Sequence, residues 1–318
     1  MKIFKQLSIS LAILSATLLS SCLGDKENDY TTTDKLTGYF NVFYQDVYDE
    51  ERGEYKSVQT FKEGVSYEIT WHYDESTKAS VNILGLQLPD GAKYSTITLD
   101  DLKWKINNMG WQDITATMCS PANSFSSNSI VFDKFNLAML NRIYGNLQFP
   151  ACTMIEYTIS DTYRVISLPQ QTVEVGTTRV SDPSGKVFTT GEAESPFYYF
   201  ILNPTDQSAF VVIQGAKFAE NMPAMNMKFP GMKFNVDDYG NIIINANKLT
   251  PTLLSEGTTD INAPGTPFEA AEISNFVADY RPGSGVDMTF TCSIATKGQS
   301  TPVAYNVTFS TKFPSTAK

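Results

Sequence analysis

The sequence matches itself when shifted by 130 residues, so its fold must be one that two copies of the same segment can each build. Val81-Asn82-Ile83-Leu84-Gly85 falls on Val211-Val212-Ile213-Gln214-Gly215. Trp104-Lys105-Ile106-Asn107-Asn108-Met109-Gly110 falls on Phe234-Asn235-Val236-Asp237-Asp238-Tyr239-Gly240. Thr115-Ala116 then meets Asn245-Ala246, and Ser120-Pro121 meets Thr250-Pro251. Toward the end the shift grows to about 142, with Tyr163-Arg164-Val165 on Tyr305-Asn306-Val307, which implies an insertion in the second copy near Gly257 to Thr266.

Each copy reads as strands joined by turns. Tyr39 to Tyr48, the turn Asp49-Glu50-Glu51-Arg52-Gly53 and Glu54 to Thr60 predict a hairpin, and Ser181-Asp182-Pro183-Ser184-Gly185 marks the matching turn. Asn107-Asn108-Met109-Gly110 and Asp237-Asp238-Tyr239-Gly240 predict a second pair. Met225, Met227, Phe229, Met232 and Phe234 form an apolar stripe. The first copy has Ile97, Leu99, Leu102 and Trp104 at four of these places, which makes the stripe core rather than a soft-metal site. Helical periodicity is confined to one short candidate, Phe135 to Tyr144. The expectation is all-β: two homologous antiparallel domains in tandem, 37–168 and 169–318, each a barrel or a sandwich.

The first residues form a leader. Lys2 and Lys5 precede an apolar run from Leu7 to Leu19, followed by Leu19-Ser20-Ser21-Cys22. A basic start, an apolar core of about 7–15 residues and small residues before the cut make a secretory signal. The run is too short to span a bilayer, which takes about 20 apolar residues. Residues 1–21 are then the signal, Cys22 the lipidated first residue of the mature protein, and 22–36 a polar tether carrying Asp25, Glu27 and Asp29. Composition narrows the function. The net charge of −10 and the absence of a dense basic stretch exclude nucleic acid as a partner. With 42% apolar, 12% aromatic and 18% charged residues, the mature chain carries real cores.

Catalytic signatures are scarce. His72 is the only histidine, and a multi-histidine zinc site is therefore ruled out. It alternates with Tyr67, Ile69, Trp71 and Tyr73, so it points to the opposite, wetter strand face. A serine triad would have to use it, and no serine sits in a G-x-S-x-G elbow. The carboxylate groups Asp49-Glu50-Glu51 and Asp237-Asp238 could serve calcium or glycoside hydrolysis, but turn chemistry explains both. Cys119 lies on Leu249, and Cys152 on Ile294 under the later shift, which suggests small buried hydrophobes; a Cys119–Cys152 disulfide is the alternative. Tyr39, Phe40, Phe43, Tyr44 and Tyr48 in one segment, and Phe197 to Phe200 in another, must put rings on both strand faces. They are core if both faces are covered, and a stacking or interface surface if one is wet.

A lipobox, an acidic tether, the opening Tyr30-Thr31-Thr32-Thr33-Asp34-Lys35-Leu36-Thr37-Gly38-Tyr39 and two β repeats, in that order, resemble the Bacteroides-group surface lipoproteins with calycin-like (lipocalin-like) domains. A second resemblance, to fimbrial subunits of the same bacteria, rests on tandem β domains behind a lipobox. The first implies a barrel-like domain in the cell envelope with no assigned activity. The expectation is a non-enzymatic outer-membrane lipoprotein, anchored by Cys22 and displayed outward, with no cofactor or metal. It would bind a glycan or small apolar ligand through its β domains. The alternative is a structural or adhesive protein that engages an envelope protein.

Overall fold

The computed structural model describes residues 30–73, 76–121, 130–144, 147–189, 196–219, 222–255, 257–258, 260–295 and 301–311. The leader and Cys22 lie outside them. Two compact units divide the chain at Pro169/Gln170, except that 143–149 group with the second, and all assigned elements are strands.

The first unit is an antiparallel meander of β1 (Thr31–Asp49), β2 (Glu54–His72), β3 (Lys78–Gln87), β4 (Lys93–Ile106), β5 (Gln112–Cys119), β6 (Phe132–Tyr144), β7 (Leu147–Ile159) and β8 (Tyr163–Pro169). It closes into a barrel where Tyr39–Tyr44 of β1 pair with Pro169–Arg164 of β8. Alternation decides which side chains go inside. Tyr67, Ile69 and Trp71 of β2 are fully buried in the interior with Val81, Ile83, Leu99 and Phe135. Outside, Lys35 pairs with Glu68 at 2.7 Å and Thr98 Oγ1 donates to Asn82 Oδ1 at 2.8 Å. Apolar inside and polar outside is the reverse of a membrane-spanning barrel.

The segment expected as a helix is strand β6, corrected by its neighbours. Phe135, Leu137 and Met139 are buried against Ala116, Ile114 and Gln112 of β5 across the ladder, so the period-2 pattern prevails over the helical spacing.

The second unit comprises β9 (Gln171–Glu174), β10 (Gly176–Ser181), β11 (Val187–Thr189), β12 (Phe197–Asn203), β13 (Ser208–Ala216), β14 (Met225–Val236), β15 (Ile242–Leu249), β16 (Thr252–Leu253), β17 (Thr266–Pro267), β18 (Ala271–Arg281), β19 (Gly285–Ile294) and β20 (Val303–Thr311). Its main path runs β11-β10-β20-β19-β18-β15-β14-β13-β12-β9. Because β9 and β10 are separated only by Val175, one segment pairs with β12 through its first half and with β20 through its second. That brings the sheet round on itself. Across the closure Tyr198 stacks on Phe309 at 3.9 Å and shares a 2.8 Å hydrogen bond with Thr178. Only glycine fits at position 176, where a Cβ would fall 2.0 Å from the Ser310 carbonyl oxygen.

The repeat is visible in the backbone. Ladder irregularities follow Ala79 in β3 and Ala209 in β13. Positive φ recurs at Thr77 and Gln207, Asp101 and Gly231, and Gly110 and Gly240. Both β4–β5 and β14–β15 turns close alike: Gly110 N donates to Asn107 O at 3.0 Å, and Gly240 N to Asp237 O at 3.1 Å. The inserted residues of the second copy fall between β15 and β18 and include the short β16–β17 pair. Register corrects one correspondence. Ile159 pairs with Tyr163 and Cys292 with Tyr305, so Cys292 takes the place of Ile159, and Cys152 does not fall on Ile294.

Candidate binding surface

Among the described residues, large side chains pack both interiors. In the first barrel Trp71, Tyr67, Tyr157, Phe43, Phe132 and Phe135 are all buried to within 2%. Their polar atoms are satisfied by one another: Asn41 Nδ2 donates to Tyr157 OH at 2.9 Å, Tyr67 OH donates to Asn41 Oδ1 at 3.3 Å, and Tyr39 OH lies 2.5 Å from Thr153 Oγ1. Burial raises the pKa of Tyr39, Tyr67 and Tyr157 above the usual phenol value. In the second unit Phe218, Phe229, Phe276 and Phe290 pack edge-to-face and stacked, and the methionine stripe lies with them: Met227, Phe229, Met232 and Phe234 are all buried. An eight-stranded barrel holds either its own side chains or one small ligand. Here side chains occupy the space, so binding falls to the outside.

The outsides of the two copies differ in kind. Ladder registers place Ser66, Glu68, Thr70, Ser80 and Asn82 of the first copy at the positions of Phe197, Tyr199, Ile201, Phe210 and Val212 in the second. The second copy's apolar outer face is covered by its insertion: Leu254, Ile261 and Ala263 pack with Val173, Tyr199 and Val212. Lys228 holds this cover down. Its Nζ donates to the carbonyls of Asn262 and Ala263, each at 3.1 Å, and sits 4.1 Å above the Phe210 ring. Burial lowers the Lys228 pKa, and the nearby Asp260 carboxylate partly offsets it. Phe197 to Phe200 are therefore core on both faces.

The candidate catalytic groups lie apart: His72 ends β2, Asp49-Glu50-Glu51 turn at the other end of that strand, and Asp237-Asp238 belong to the second unit. A shallow hollow of about 340 Å³ on the first unit is lined by His72, Ser76, Lys78, Ser80, Asp100 and Asp101. Within it Asp101 is paired with Lys78 at 2.6 Å. That ammonium draws the Asp101 pKa below the usual carboxylate value. The Asp237 carboxylate is occupied by its own turn, accepting from Tyr239 N and Asn241 N at 2.8 Å each. Burial would raise its pKa, but these bonds and Asn241 Nδ2 bring it down. Asp49 does the same for Glu51 N and Arg52 N. Among the described residues no three or more His, Cys, Asp or Glu side chains converge as a metal site would need. Among the described residues Cys119, Cys152 and Cys292 form no disulfide, and burial pushes the Cys292 pKa up to about 12.

What the outside of the first unit presents is a β arm. β8 accompanies β1 only as far as Tyr44, and β3 joins β2 only from Ser66. Beyond these points Gln45–Asp49 and Glu54–Val58 pair with each other and with no other described strand. Five residues of strand extend on the order of 15 Å. Tyr48 and Tyr55, directly opposite, meet edge-on at 5.2 Å while 53% and 73% exposed, and Val47 and Val58 lie exposed on the other face. Asp46, Asp49, Glu50, Glu51 and Glu54 outnumber Arg52 and Lys56. The second copy has no free counterpart, because β20 runs beside β10 out to Ser181. The sequence marked this turn but not the arm, since a strand's partners do not show in its own residues.

No family model matches the chain, and no curated protein matches it. Among solved structures it is similar to the vaccine antigen transferrin binding protein B from Haemophilus parasuis, with 8% identity, a TM-score of 0.21 and coverage of 88% of this chain and 76% of that one. Such a likeness identifies neither a family nor a ligand.

Proposed function

We propose that this chain is a non-enzymatic cell-envelope lipoprotein, held in the outer membrane by acyl chains on Cys22, displayed outward, and binding a protein partner through the β1–β2 arm. The observation that carries the reading is the arm itself. It leaves Tyr48 and Tyr55 exposed where burial would have stabilised the fold, and a two-stranded ribbon is only marginally stable by itself. Exposed tyrosines are the residues that dominate interface energetics, and the excess of carboxylates suits a cationic partner. Filled interiors weigh against a small apolar ligand inside either barrel. The leader, tether and paired barrels support a place among the calycin-like lipoproteins of the Bacteroides group, with domains at 37–168 and 169–318.

Two experiments test this. Cys22→Ser is expected to move the protein from the membrane to the soluble fraction, because stable anchoring needs multiple acyl chains. A photo-crosslinking residue at position 55, activated on intact cells, is expected to trap one envelope protein, with yield falling as salt rises. Uncrosslinked, monomeric protein would overturn the partner reading.

A further inference from the structure

The rim of the first barrel at which β1 begins carries a second exposed apolar group, remote from the arm. Trp71, Trp104, Tyr73 and Tyr30 form a ladder from core to surface, with successive ring centroids 5.5, 5.0 and 5.5 Å apart. Its outer members Tyr30 and Tyr73 are 48% and 41% exposed. The ladder is pinned by polar bonds: Trp71 Nε1 donates to Asp34 Oδ2 at 2.7 Å, Trp104 Nε1 to the His72 carbonyl at 3.1 Å, and Gln112 Nε2 to Tyr73 OH at 2.9 Å. Beside it Ile106 and Met109 are 64% and 66% exposed. Ile106 continues the inward row of Leu102 and Trp104 past the end of the barrel. Val236, at the same place in the second copy, is 3% exposed. The exposure of Ile106 is therefore particular to this rim, whereas the hairpin position of Met109 is exposed in both copies, Tyr239 being 85% exposed.

This rim also lies within reach of an anchor on Cys22. Tyr30 is eight residue steps from Cys22, and extended chain spans at most about 3.6 Å per step, so its Cα stays within roughly 29 Å of that of Cys22. The arm tip lies at the far end of β1. Tyrosine and tryptophan concentrate at membrane interfaces because their rings are apolar and their hydrogen-bonding atoms stay wet.

We infer that this rim of the first barrel rests on the bilayer that holds the Cys22 acyl chains, with Tyr30, Tyr73, Ile106 and Met109 in the headgroup region. The inference rests on the lipoprotein reading above. Docking would fix the barrel's tilt and aim the arm away from the membrane.

The three tryptophans of the chain, Trp71, Trp104 and Trp111, all belong to the first unit, and Trp104 touches Tyr73, so tryptophan emission reports on this rim. The acylated full-length mature protein is reconstituted into vesicles of phosphatidylethanolamine and phosphatidylglycerol, with or without a nitroxide on the lipid headgroup. Loss of emission in the nitroxide vesicles is expected. The double variant Ile106→Ser, Met109→Ser should recover it while still floating with the vesicles, and its unchanged thermal melting would show the fold intact. Wild-type protein that floats but emits equally with both lipids would overturn docking. Emission that ignores the nitroxide yet responds to a soluble polysaccharide would overturn it too, reassigning the rings to sugar stacking. Failure of the wild type to float would instead strike the anchor reading, and docking would fall with it.

Discussion

Gly176 and Gly231 show two different reasons for a strand to need glycine. Gly231 has φ +70 and nothing within 4 Å of where a Cβ would stand. Gly231→Ala should cost about 1–2 kcal/mol, the price of the left-handed conformation alone. Its counterpart Asp101 tolerates φ 56 because a short polar side chain is among the few that visit this region. At position 176 an added Cβ would overlap the Ser310 carbonyl and the Phe309 ring. Gly176→Ala should therefore force the closing strands apart and cost more than Gly231→Ala, by more than about 3 kcal/mol in all, the range of severe overpacking. Urea unfolding of the two variants, read on the same day, gives the order; the reverse order would mean that β10 and β20 do not meet as described.

Among the elements, the insertion and the arm are treated oppositely by the same chain. The insertion covers an apolar outer face, and Lys228 caps two of its carbonyls. Lys228→Met keeps the contact with Phe210 but leaves those carbonyls unbonded, so a loss of about 1–3 kcal/mol and faster proteolysis between 254 and 265 are expected. Unchanged cleavage there would show that packing by Leu254 and Ile261 suffices. On the arm nothing is covered. Tyr48→Ser with Tyr55→Ser removes one exposed cross-strand pair, and stability should move by no more than about 1 kcal/mol. With the crosslinking residue placed at position 57 instead of 55, the partner should nevertheless be lost. A large drop in stability would make the tyrosines part of the fold and not of an interface.

For the whole molecule, stability should fall in alkali. Tyr39, Tyr67, Tyr157 and Tyr198 are buried, and burial holds each phenol's pKa above its ordinary value of 10.0. The unfolded chain then releases protons that the folded one keeps, so stability is fully present below pH 10 and is lost as pH rises beyond it, at about 1.4 kcal/mol per pH unit for each such group. Cys292, lifted from 9.0 to about 12, begins the same loss one unit earlier. Urea midpoints that stay level between pH 8 and 11 would show these groups ionising in place. What is local was legible in the residues alone: the repeat, the Asn107 and Asp237 turns and the strand periods. Turn residues and alternation act within a few positions of themselves, so they can be read without the fold. Phe135 to Tyr144 suited helix or strand, and pairing with β5 chose strand. Only the tertiary structure decided that the first meander closes as a barrel, that Phe197 and Tyr199 lie beneath the insertion, and that Tyr48, Tyr55, Tyr73 and Ile106 are left in the open. Whether an aromatic ring is core or surface depends on what segment distant in sequence covers it, and neither its own identity nor its neighbours in the chain encode that cover.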